Sequence, residues 1–222
     1  MDKNKHRQET LGFFRKAALA KEGFYDASDA GDYRHSIWQR RVRGYLRSRI
    51  LRLAQSSATL VDVGCGNGDF VRELAGHLPE INFRGHDFSS EMIEVAKRKY
   101  GGIQNLTYRT RDLLNPGPDS GQFDIVLCLN MFHHLHLDDL DRGMDSLNAL
   151  TGTVLLFEIK NENNLWNRRF RPTDSFPVNL LSPQRARSYL SSKGLQFVHQ
   201  WNIFGLDFLS PIVILEFSRD EA

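Results

Sequence analysis

The chain has 222 residues, of which 41% are hydrophobic and 25% are charged, and its net charge is +2. This composition is ordinary for a soluble globular protein. No apolar run approaches the roughly 20 residues of a membrane span, the N-terminus lacks an apolar signal region, and two cysteines, Cys65 and Cys128, are too few for a disulfide framework or a zinc site. We therefore expect a cytoplasmic protein with no membrane span and no metal.

The charge is unevenly distributed along the chain. Residues 1–55 contain 13 lysines and arginines against 6 acidic residues, whereas residues 56–222 contain 16 against 21. One explanation of this basic N-terminal segment is that it binds an acidic substrate or RNA. The other is that its charges form the solvent-exposed face of an amphipathic helix. We favour the solvated face, and the other explanation stays open.

The first 54 residues carry helical patterns. Residues 1–33 are polar apart from one apolar patch at residues 11–19, which predicts a short helix and then a mobile connection. Residues 34–54 have an arginine-rich sequence with one apolar stripe at helical spacing, made of Trp38, Val42, Tyr45, Leu46, Ile50 and Leu53. We predict an N-terminal helical cap over residues 1–54 and a main domain over residues 55–222.

From Leu60 onward, strand-like and helix-like segments alternate, which is typical of a doubly wound α/β sheet. Helices are predicted after the glycines at 64–68, after Ser89 as an N-cap, over residues 138–150, and after Ser182. Strands are predicted at residues 60–63, 81–87, 106–111, 123–129, 152–158, 195–204 and 210–218. The stretch from Ile159 to Leu181 lacks periodicity but is rich in aromatic and basic residues, so we predict a substrate-side insertion over residues 160–181.

Residues 60–70 organise the rest of the chain. A buried strand leads into Gly64, Gly66 and Gly68, and a helix pattern begins behind them. Such a turn lets backbone approach a ligand closely, and its N–H groups with the helix N-terminus favour a negatively charged ligand group. A dinucleotide fingerprint would need a third glycine where Asp69 stands, and the Gly-Lys-Ser/Thr of a P-loop is absent.

Polar residues follow the ends of successive predicted strands, where open parallel sheets bind their ligands. These are Asp62, Asp87, Asp112 and the run from Asn130 to His134. Each aspartate alone is more often a cap or turn residue. Three of them in step with a glycine turn favour a ligand site.

The pattern Asp-x-Gly-x-Gly-x-Gly from Asp62 to Gly68 resembles motif I of class I S-adenosylmethionine-dependent methyltransferases. The resemblance extends over about residues 34–218. It implies the family's Rossmann-like fold, a mostly parallel seven-stranded sheet in the order 3-2-1-4-5-7-6. It also implies the cofactor S-adenosyl-L-methionine, which leaves as S-adenosyl-L-homocysteine.

The same resemblance assigns roles to single residues. It implies that Asp62 orients the methionine amine, that Asp87 accepts from both ribose hydroxyls, and that Phe88 packs on the adenine. Asp112 and the Leu113 backbone would read the adenine edge. The full predicted cofactor set is Asp62, Gly64, Cys65, Gly66, Gly68, Asp87, Phe88, Met92, Asp112, Leu113 and Leu129.

The run from Asn130 to Leu135 lacks the prolines of amino-directed DNA methyltransferases. It is similar to the apolar-apolar-His-His-Leu run of small-molecule methyltransferases, the quinone, polyketide and glycan O-methylating group (types 11 and 12). That similarity implies His134 as a general base, with His133 second, and a histidine that only orders the loop stays an open alternative. We predict an aromatic wall and an anion clamp for the acceptor from Tyr25, Tyr33, Trp38, Trp166, Arg169 and Arg171.

The leading hypothesis is an enzyme that transfers a methyl group from S-adenosylmethionine to a small-molecule acceptor, most simply a hydroxyl oxygen. A tRNA-modifying methyltransferase is the second hypothesis, which the moderate isoelectric point of about 8.6 and the absence of an RNA-binding module disfavour. An inactive cofactor-binding partner protein is the third. The identity of the acceptor, including whether it is anionic, and the oligomeric state stay open.

Overall fold

The computed structural model describes residues 2–20, 33–56, 58–115, 117, 121–169 and 179–219. Seven strands form one sheet in the order β3-β2-β1-β4-β5-β7-β6, which confirms the predicted topology. The strands are β1 (Thr59–Val63), β2 (Asn82–Asp87), β3 (Leu106–Thr110), β4 (Phe123–Cys128), β5 (Thr151–Lys160), β6 (Gln196–Asn202) and β7 (Ile212–Ser218). The pairs β1–β2, β2–β3 and β4–β5 are parallel, and β7 is antiparallel to both β5 and β6.

Helices flank the strands along the chain. The described α-helices are α1 (Lys3–Ala20), α2 (Tyr33–Leu53), α3 (Asp69–His77), α4 (Ser90–Tyr100), α5 (Leu140–Leu150), α6 (Leu165–Arg169) and α7 (Pro183–Ser192). The predicted N-terminal helices are therefore present. Within the described part of the chain, no helix is both long and apolar enough to cross a bilayer.

The chain divides into two compact units. One consists of residues 11–112 and is called the 11–112 unit, and the other consists of residues 1–10 and 113–222 and is called the 113–222 unit. The predicted boundary at residue 54 between a cap and a main domain stays a prediction.

In the 11–112 unit, the predicted apolar stripe of α2 points inward, with Val42, Leu46 and Ile50 buried. Helix α4 begins where the sequence predicts, because the Ser89 hydroxyl accepts a hydrogen bond from the Met92 amide at 3.3 Å. That cap fixes the start of α4 directly after β2. It therefore also fixes the position of Asp87, the last residue of the strand.

In the 113–222 unit, the long strand β5 lies between β4 and β7, and its central residues Leu155, Leu156 and Phe157 are fully buried. It continues to Lys160, two residues beyond its predicted end. Helix α7 starts at Pro183 behind a Ser182 cap, whose hydroxyl accepts from the Arg185 amide at 3.1 Å. Both features of α7 agree with the sequence prediction.

Two predictions of local structure are wrong. Helix α1 has 18 residues instead of a short helix, because Ala17 and Ala18 bury against Met92 and Val95 of α4 and stabilise its second half. The stretch from 159 to 181, predicted to be irregular, contains α6, which is capped by the Asn164 side chain accepting from the Asn167 amide at 2.9 Å. The predicted connection at 21–32 lies outside the described residues.

Candidate active site

The glycine turn after β1 needs glycine for conformational reasons. Gly64, Gly66 and Gly68 have φ angles of 82°, 55° and 81°, in the left-handed region that side chains disfavour. The turn leads directly into α3, so the strand–turn–helix prediction is confirmed by the structure.

The amides of this turn are used within the protein. Gly64 and Cys65 both donate to the His86 carbonyl, at 2.7 and 3.0 Å, and Gly68 donates to the Cys65 carbonyl at 3.0 Å. Gly66 donates to Asp87 Oδ2 at 2.9 Å. The expectation that these N–H groups favour a negatively charged ligand therefore fails, because four of them already have acceptors. What the turn offers a ligand is bare backbone with no side chain.

Gly68 is also confined by packing. A Cβ atom placed there would lie 2.5 Å from Tyr108 Cε1 and 2.6 Å from the Tyr108 hydroxyl oxygen. That hydroxyl donates to the Gly68 carbonyl at 3.3 Å. The third glycine of the motif thus supports the turn through Tyr108 of β3, a role that spacing alone does not reveal.

Asp62 is a buried carboxylate within β1, 4% exposed. Among the described residues, its Oδ1 atom has no hydrogen-bond partner. Burial, reinforced by the nearby charge of Asp87, raises its pKa to about 7, against a smaller lowering by Arg43. A buried carboxylate oxygen of this kind is stabilised by a cationic donor, and the α-ammonium of an amino acid is such a group.

Asp87 closes β2 and holds the turn. Its Oδ1 accepts from the Ser89 amide and its Oδ2 from the Gly66 amide, both at 2.9 Å. Burial raises its pKa to about 6, although hydrogen bonds from the Ser89, Gly66 and Phe88 amides lower it. A carboxylate has about four acceptor positions, so each oxygen can still accept one hydroxyl of a diol.

The other predicted cofactor residues fall in varied surroundings. The Phe88 ring makes an edge contact with Phe14 of α1, with ring centroids 6.0 Å apart, and Met92 is buried in the α1–α4 cluster. Burial raises the pKa of the Cys65 thiol, which keeps it protonated and unreactive. Asp112 and Leu129 are half-buried, and Leu113 is buried.

In the 113–222 unit, a polar cluster lies at the carboxyl ends of β4 and β5. Lys160 Nζ donates to Asn130 Oδ1 at 3.0 Å and lies 3.5 Å from Glu158 Oε1. Glu158 is buried, and burial raises its pKa although Lys160 lowers it. Asn130 has a φ of 48°, the one positive value among the described non-glycine residues. Such backbone is tolerated by asparagine and recurs at functional sites.

The paired histidines lie in a short 3-10 helix at Phe132–His134. Their rings are 3.9 Å apart between centroids. Burial lowers the pKa of His134 to about 3, with Lys160 and His6 lowering it further. Burial also lowers the pKa of His133 well below its usual range, helped by His134 and Lys160. Both imidazoles are therefore neutral at pH 7, and the charge of Lys160 helps to keep them so.

The start of α1 anchors the loop that carries the histidines. Buried His6 donates from Nε2 to the His134 carbonyl at 2.8 Å, and its ring makes an edge contact with His136. Lys3 forms an ion pair with buried Asp139. Sequence reasoning missed His6, Lys3, Glu158 and Lys160, because no local motif contains them. The one available signal was that Glu158 ends a predicted apolar strand.

The predicted acceptor residues are only partly described. Tyr25 and Arg171 lie outside the described residues, and Tyr33 is the first residue of α2. Trp38 is half-buried on α2, while Trp166 and Arg169 are exposed on α6. Their role in holding an acceptor stays a prediction. Over the described residues, no group of three or more His, Cys, Asp or Glu side chains is arranged to hold a metal ion.

The strand order, the glycine turn after β1 and the carboxylate that ends β2 define the Rossmann-like fold of class I methyltransferases. The fold is similar to that of magnesium protoporphyrin IX methyltransferase from Synechocystis PCC 6803 with bound S-adenosylmethionine. The TM-score is 0.75 at 16% identity, over 99% of this chain and 98% of that chain.

Residues 60–152 match the methyltransferase-domain family. The matched part contains the glycine turn, Asp87 and the paired histidines, and it agrees with the resemblance of motif I to class I, S-adenosylmethionine-dependent methyltransferases.

Two curated relatives illustrate the similarity in sequence. Demethylmenaquinone methyltransferase of Deinococcus radiodurans is 36% identical over 122 residues, which cover 52% of this chain and 49% of that protein. Ubiquinone biosynthesis O-methyltransferase of Coxiella burnetii is 33% identical over 107 residues, covering 47% and 44%. The chain spans about half the length of the curated relatives that it matches.

Proposed function

We propose that the protein binds S-adenosyl-L-methionine and transfers its methyl group to an oxygen of a small-molecule acceptor. The observation that carries this proposal is the buried Asp62 Oδ1 atom, which has no partner among the described residues and belongs to the same motif as the glycine turn. A buried carboxylate without a partner is costly, so a cationic ligand group gives it a reason to be there.

The residues present fit the cofactor. Asp62 would accept from the α-ammonium, the backbone at Gly64–Gly68 would hold the methionine portion and ribose, and Asp87 would accept from the two ribose hydroxyls. When bound, S-adenosylmethionine supplies a methyl group that is already activated on a sulfonium. The task left to the protein is to align the acceptor and exclude water.

Lys160 is the residue that we assign to the acceptor oxygen. Among the described residues, two oxygens, Asn130 Oδ1 and Glu158 Oε1, accept from its ammonium group, which has three donors, so one N–H remains to donate to a ligand. A nearby ammonium stabilises an ionised oxygen and lowers the pKa of a hydroxyl. In the transfer, a hydroxyl acceptor would first lose its proton to water, its oxygen would then bond to the methyl carbon as the carbon–sulfur bond breaks, and S-adenosylhomocysteine would leave.

His134 remains the proposed partner of the acceptor hydroxyl, with His133 behind it. A pKa of about 3 means that the imidazole is neutral at working pH and can accept a hydrogen bond. Complete proton transfer to it from an ordinary alcohol would be costly. We therefore favour an acceptor acidic enough to ionise beside Lys160, such as a phenol, an enol or a carboxylic acid.

The names of two relatives refer to demethylmenaquinone and to ubiquinone biosynthesis, and the second is named as an O-methyltransferase, which supports a small-molecule acceptor. An anionic acceptor, held further by Arg169 and Arg171, is the finer form of the proposal. The cytoplasm remains the proposed location, because Cys65 and Cys128 are both free thiols. No specific observation favours a tRNA substrate or an inactive partner protein.

The test combines calorimetry with a methylation assay. We expect heat of binding for S-adenosylmethionine and for S-adenosylhomocysteine, and none for a pyridine dinucleotide. We then expect a tritiated methyl group to pass to members of a panel of phenols, enols and carboxylic acids. Binding of a pyridine dinucleotide in place of S-adenosylmethionine would overturn the proposal. Methyl transfer to tRNA alone would show that the acceptor is tRNA and that the proposed small-molecule acceptor is wrong.

A further inference from the structure

Exposed apolar side chains are concentrated in two segments of the 113–222 unit. Nine large hydrophobic residues are exposed in the described chain, and six of them lie on α6 or in the connection between β6 and β7. These six form what we call the apolar surface: Leu165, Trp166, Phe204, Leu206, Phe208 and Leu209, each between 42% and 65% exposed. Scattered exposed residues need no explanation, but a cluster of this kind marks an interaction site.

The two segments are joined by asparagine side chains. Asn164 Nδ2 donates to the Phe208 carbonyl at 3.1 Å, and Asn163 Nδ2 donates to Asp207 Oδ2 at 3.1 Å. Asn161 Nδ2 donates to the Asp207 carbonyl at 2.9 Å, and Asn167 Nδ2 to the Pro211 carbonyl at 3.2 Å. The apolar side chains are thus presented on a platform that is held by specific hydrogen bonds.

The burial pattern of this platform is the reverse of a folded core. Asn161, Asn164 and Asn167 are at most 6% exposed, while Leu165 and Trp166 beside them in the chain face solvent. Folding normally buries the leucine and the tryptophan and exposes the asparagines. The asparagine hydrogen bonds hold the helix, and the outward leucine and tryptophan are left for an apolar partner to cover.

The charges around the apolar surface indicate which occupant fits. Arg168 and Arg169 are exposed on α6, and within the described residues 161–169 the one exposed acidic residue is Glu162. The carboxylate of Asp207 is turned inward, where it accepts from Asn163 and Gln200. Tryptophan, phenylalanine and leucine beside arginines are the side chains that enter the interface of an anionic bilayer.

We propose that the apolar surface docks on an anionic lipid bilayer and thereby brings the carboxyl end of β5 to a lipophilic acceptor. Asn161, the first residue of the platform, directly follows Lys160, so the lipid contact and the proposed acceptor contact are continuous in the chain. Vesicle binding stands by itself, whereas the link to a lipophilic acceptor rests on the proposed function. Trp166 and Arg169, predicted as acceptor residues, here contact the lipid from which the acceptor comes.

The test is co-sedimentation of the full chain with vesicles. One set is phosphatidylcholine alone, and the other contains about one third phosphatidylglycerol. We expect wild type to sediment with the anionic vesicles. The double variants Leu206→Ser/Phe208→Ser and Arg168→Glu/Arg169→Glu should each bind at least about tenfold more weakly.

Matched control variants distinguish binding through the apolar surface from nonspecific binding by other exposed residues. Val198→Ser removes an equally exposed apolar residue of β6, 48% exposed, and Lys97→Glu/Arg98→Glu reverses two adjacent exposed cations on α4. Both should sediment like wild type. Equal losses in the controls, or wild type that remains in the supernatant with both vesicle types, would overturn the proposal.

Two further readouts distinguish the alternatives. The wild-type protein could fail to bind vesicles and instead self-associate in gel filtration. If Leu206→Ser/Phe208→Ser abolishes that association, the apolar surface is an interface between copies of the chain and the lipid proposal is wrong. Calorimetry with S-adenosylmethionine on the same proteins tests the proposed function separately. Vesicle binding without cofactor binding would overturn only the proposed function, and the reverse result would overturn only the docking surface.

Discussion

In the 11–112 unit, the buried ionisable groups at the strand ends include two carboxylates beside His86, and burial raises the pKa of Asp62 to about 7 and that of Asp87 to about 6. In the 113–222 unit they include two histidines, and burial lowers the pKa of His134 to about 3 and that of His133 well below its usual range. Burial disfavours charge of either sign. The first unit is thereby prepared for a cationic ligand group, and the second for a neutral donor or an anion beside Lys160.

The two units also differ in how their sites are assembled. In the 11–112 unit, the site is built mostly on backbone amides, since the turn at 64–68 donates to the His86 carbonyl and to Asp87, and the Ser89 amide donates to Asp87. In the 113–222 unit, the site joins residues far apart in the chain, such as Asn130 with Lys160 and His6 with His134. Substitutions that disturb the backbone of the turn should therefore damage the first site, whereas damage to the second site should involve pairs of side chains.

The largest effect is expected at Gly68. Gly68→Ala forces a side chain into left-handed backbone and against the Tyr108 ring, which should lower the free energy of unfolding by about 3–5 kcal/mol. Urea denaturation measures it. Gly76→Ala at the other end of α3 is the matched control, because a Cβ atom there meets nothing within 4 Å. It should be neutral or stabilising by up to about 1 kcal/mol, and equal losses at both positions would contradict the account of the turn.

The next prediction tests whether Lys160 and Glu158, in the site of the 113–222 unit, stabilise the fold as a pair. Lys160→Met leaves buried Glu158 without its cation, which should cost about 2–3 kcal/mol of unfolding free energy. The double variant Lys160→Met/Glu158→Gln should recover most of that loss while methyl transfer stays low. Additive losses in this double-mutant cycle would mean that the two side chains do not act together.

A smaller effect is expected at the start of α1. His6→Ala removes the donor to the His134 carbonyl and should cost about 1 kcal/mol of unfolding free energy. It should also raise the KM for the acceptor, since the histidine loop loses an anchor. Lys5→Met is the control, because its pair with Glu9 is an exposed contact at 3.9 Å. Equal effects of the two substitutions would show that α1 does not hold this loop.

The smallest expected change concerns the pH profile. A His134 with a pKa of about 3 is neutral throughout the working range, so kcat/KM should show no histidine inflection between about pH 5 and pH 8. His134→Gln should keep kcat/KM within about tenfold of wild type, below most of the 10²–10⁴ range of general-base catalysis. An inflection near pH 6.5 that disappears in His134→Gln would restore the histidine as the base.

Local sequence signals predicted most of the fold and most of the site in the 11–112 unit. Hydrophobic periodicity, the glycines and the caps at Ser89 and Ser182 are local signals, and each predicted the observed element. The Lys160–Asn130–Glu158 cluster could not be predicted in this way, because it depends on the parallel pairing of β4 with β5. Helix α6 was missed because its stability comes from asparagine contacts to residues 207–211, which no helical periodicity records.

The most direct test of the central claim is the response of Asp62 to substitution. Its raised pKa means that the folded chain keeps a proton that the unfolded chain has lost, so the free energy of unfolding falls as the pH rises from 3.8 to about 7. Asp62→Asn removes that penalty and should stabilise the apoprotein at pH 8 by about 2–4 kcal/mol. The same substitution removes the acceptor for the ammonium of the cofactor.

Calorimetric titration with S-adenosylmethionine at pH 8 joins both effects in one comparison. We predict that wild type binds and that the more stable Asp62→Asn protein binds about 10- to 100-fold more weakly. Wild-type affinity should also fall as the pH drops below about 7, where Asp62 takes up a proton. Equal affinity of the two proteins for S-adenosylmethionine would contradict the account.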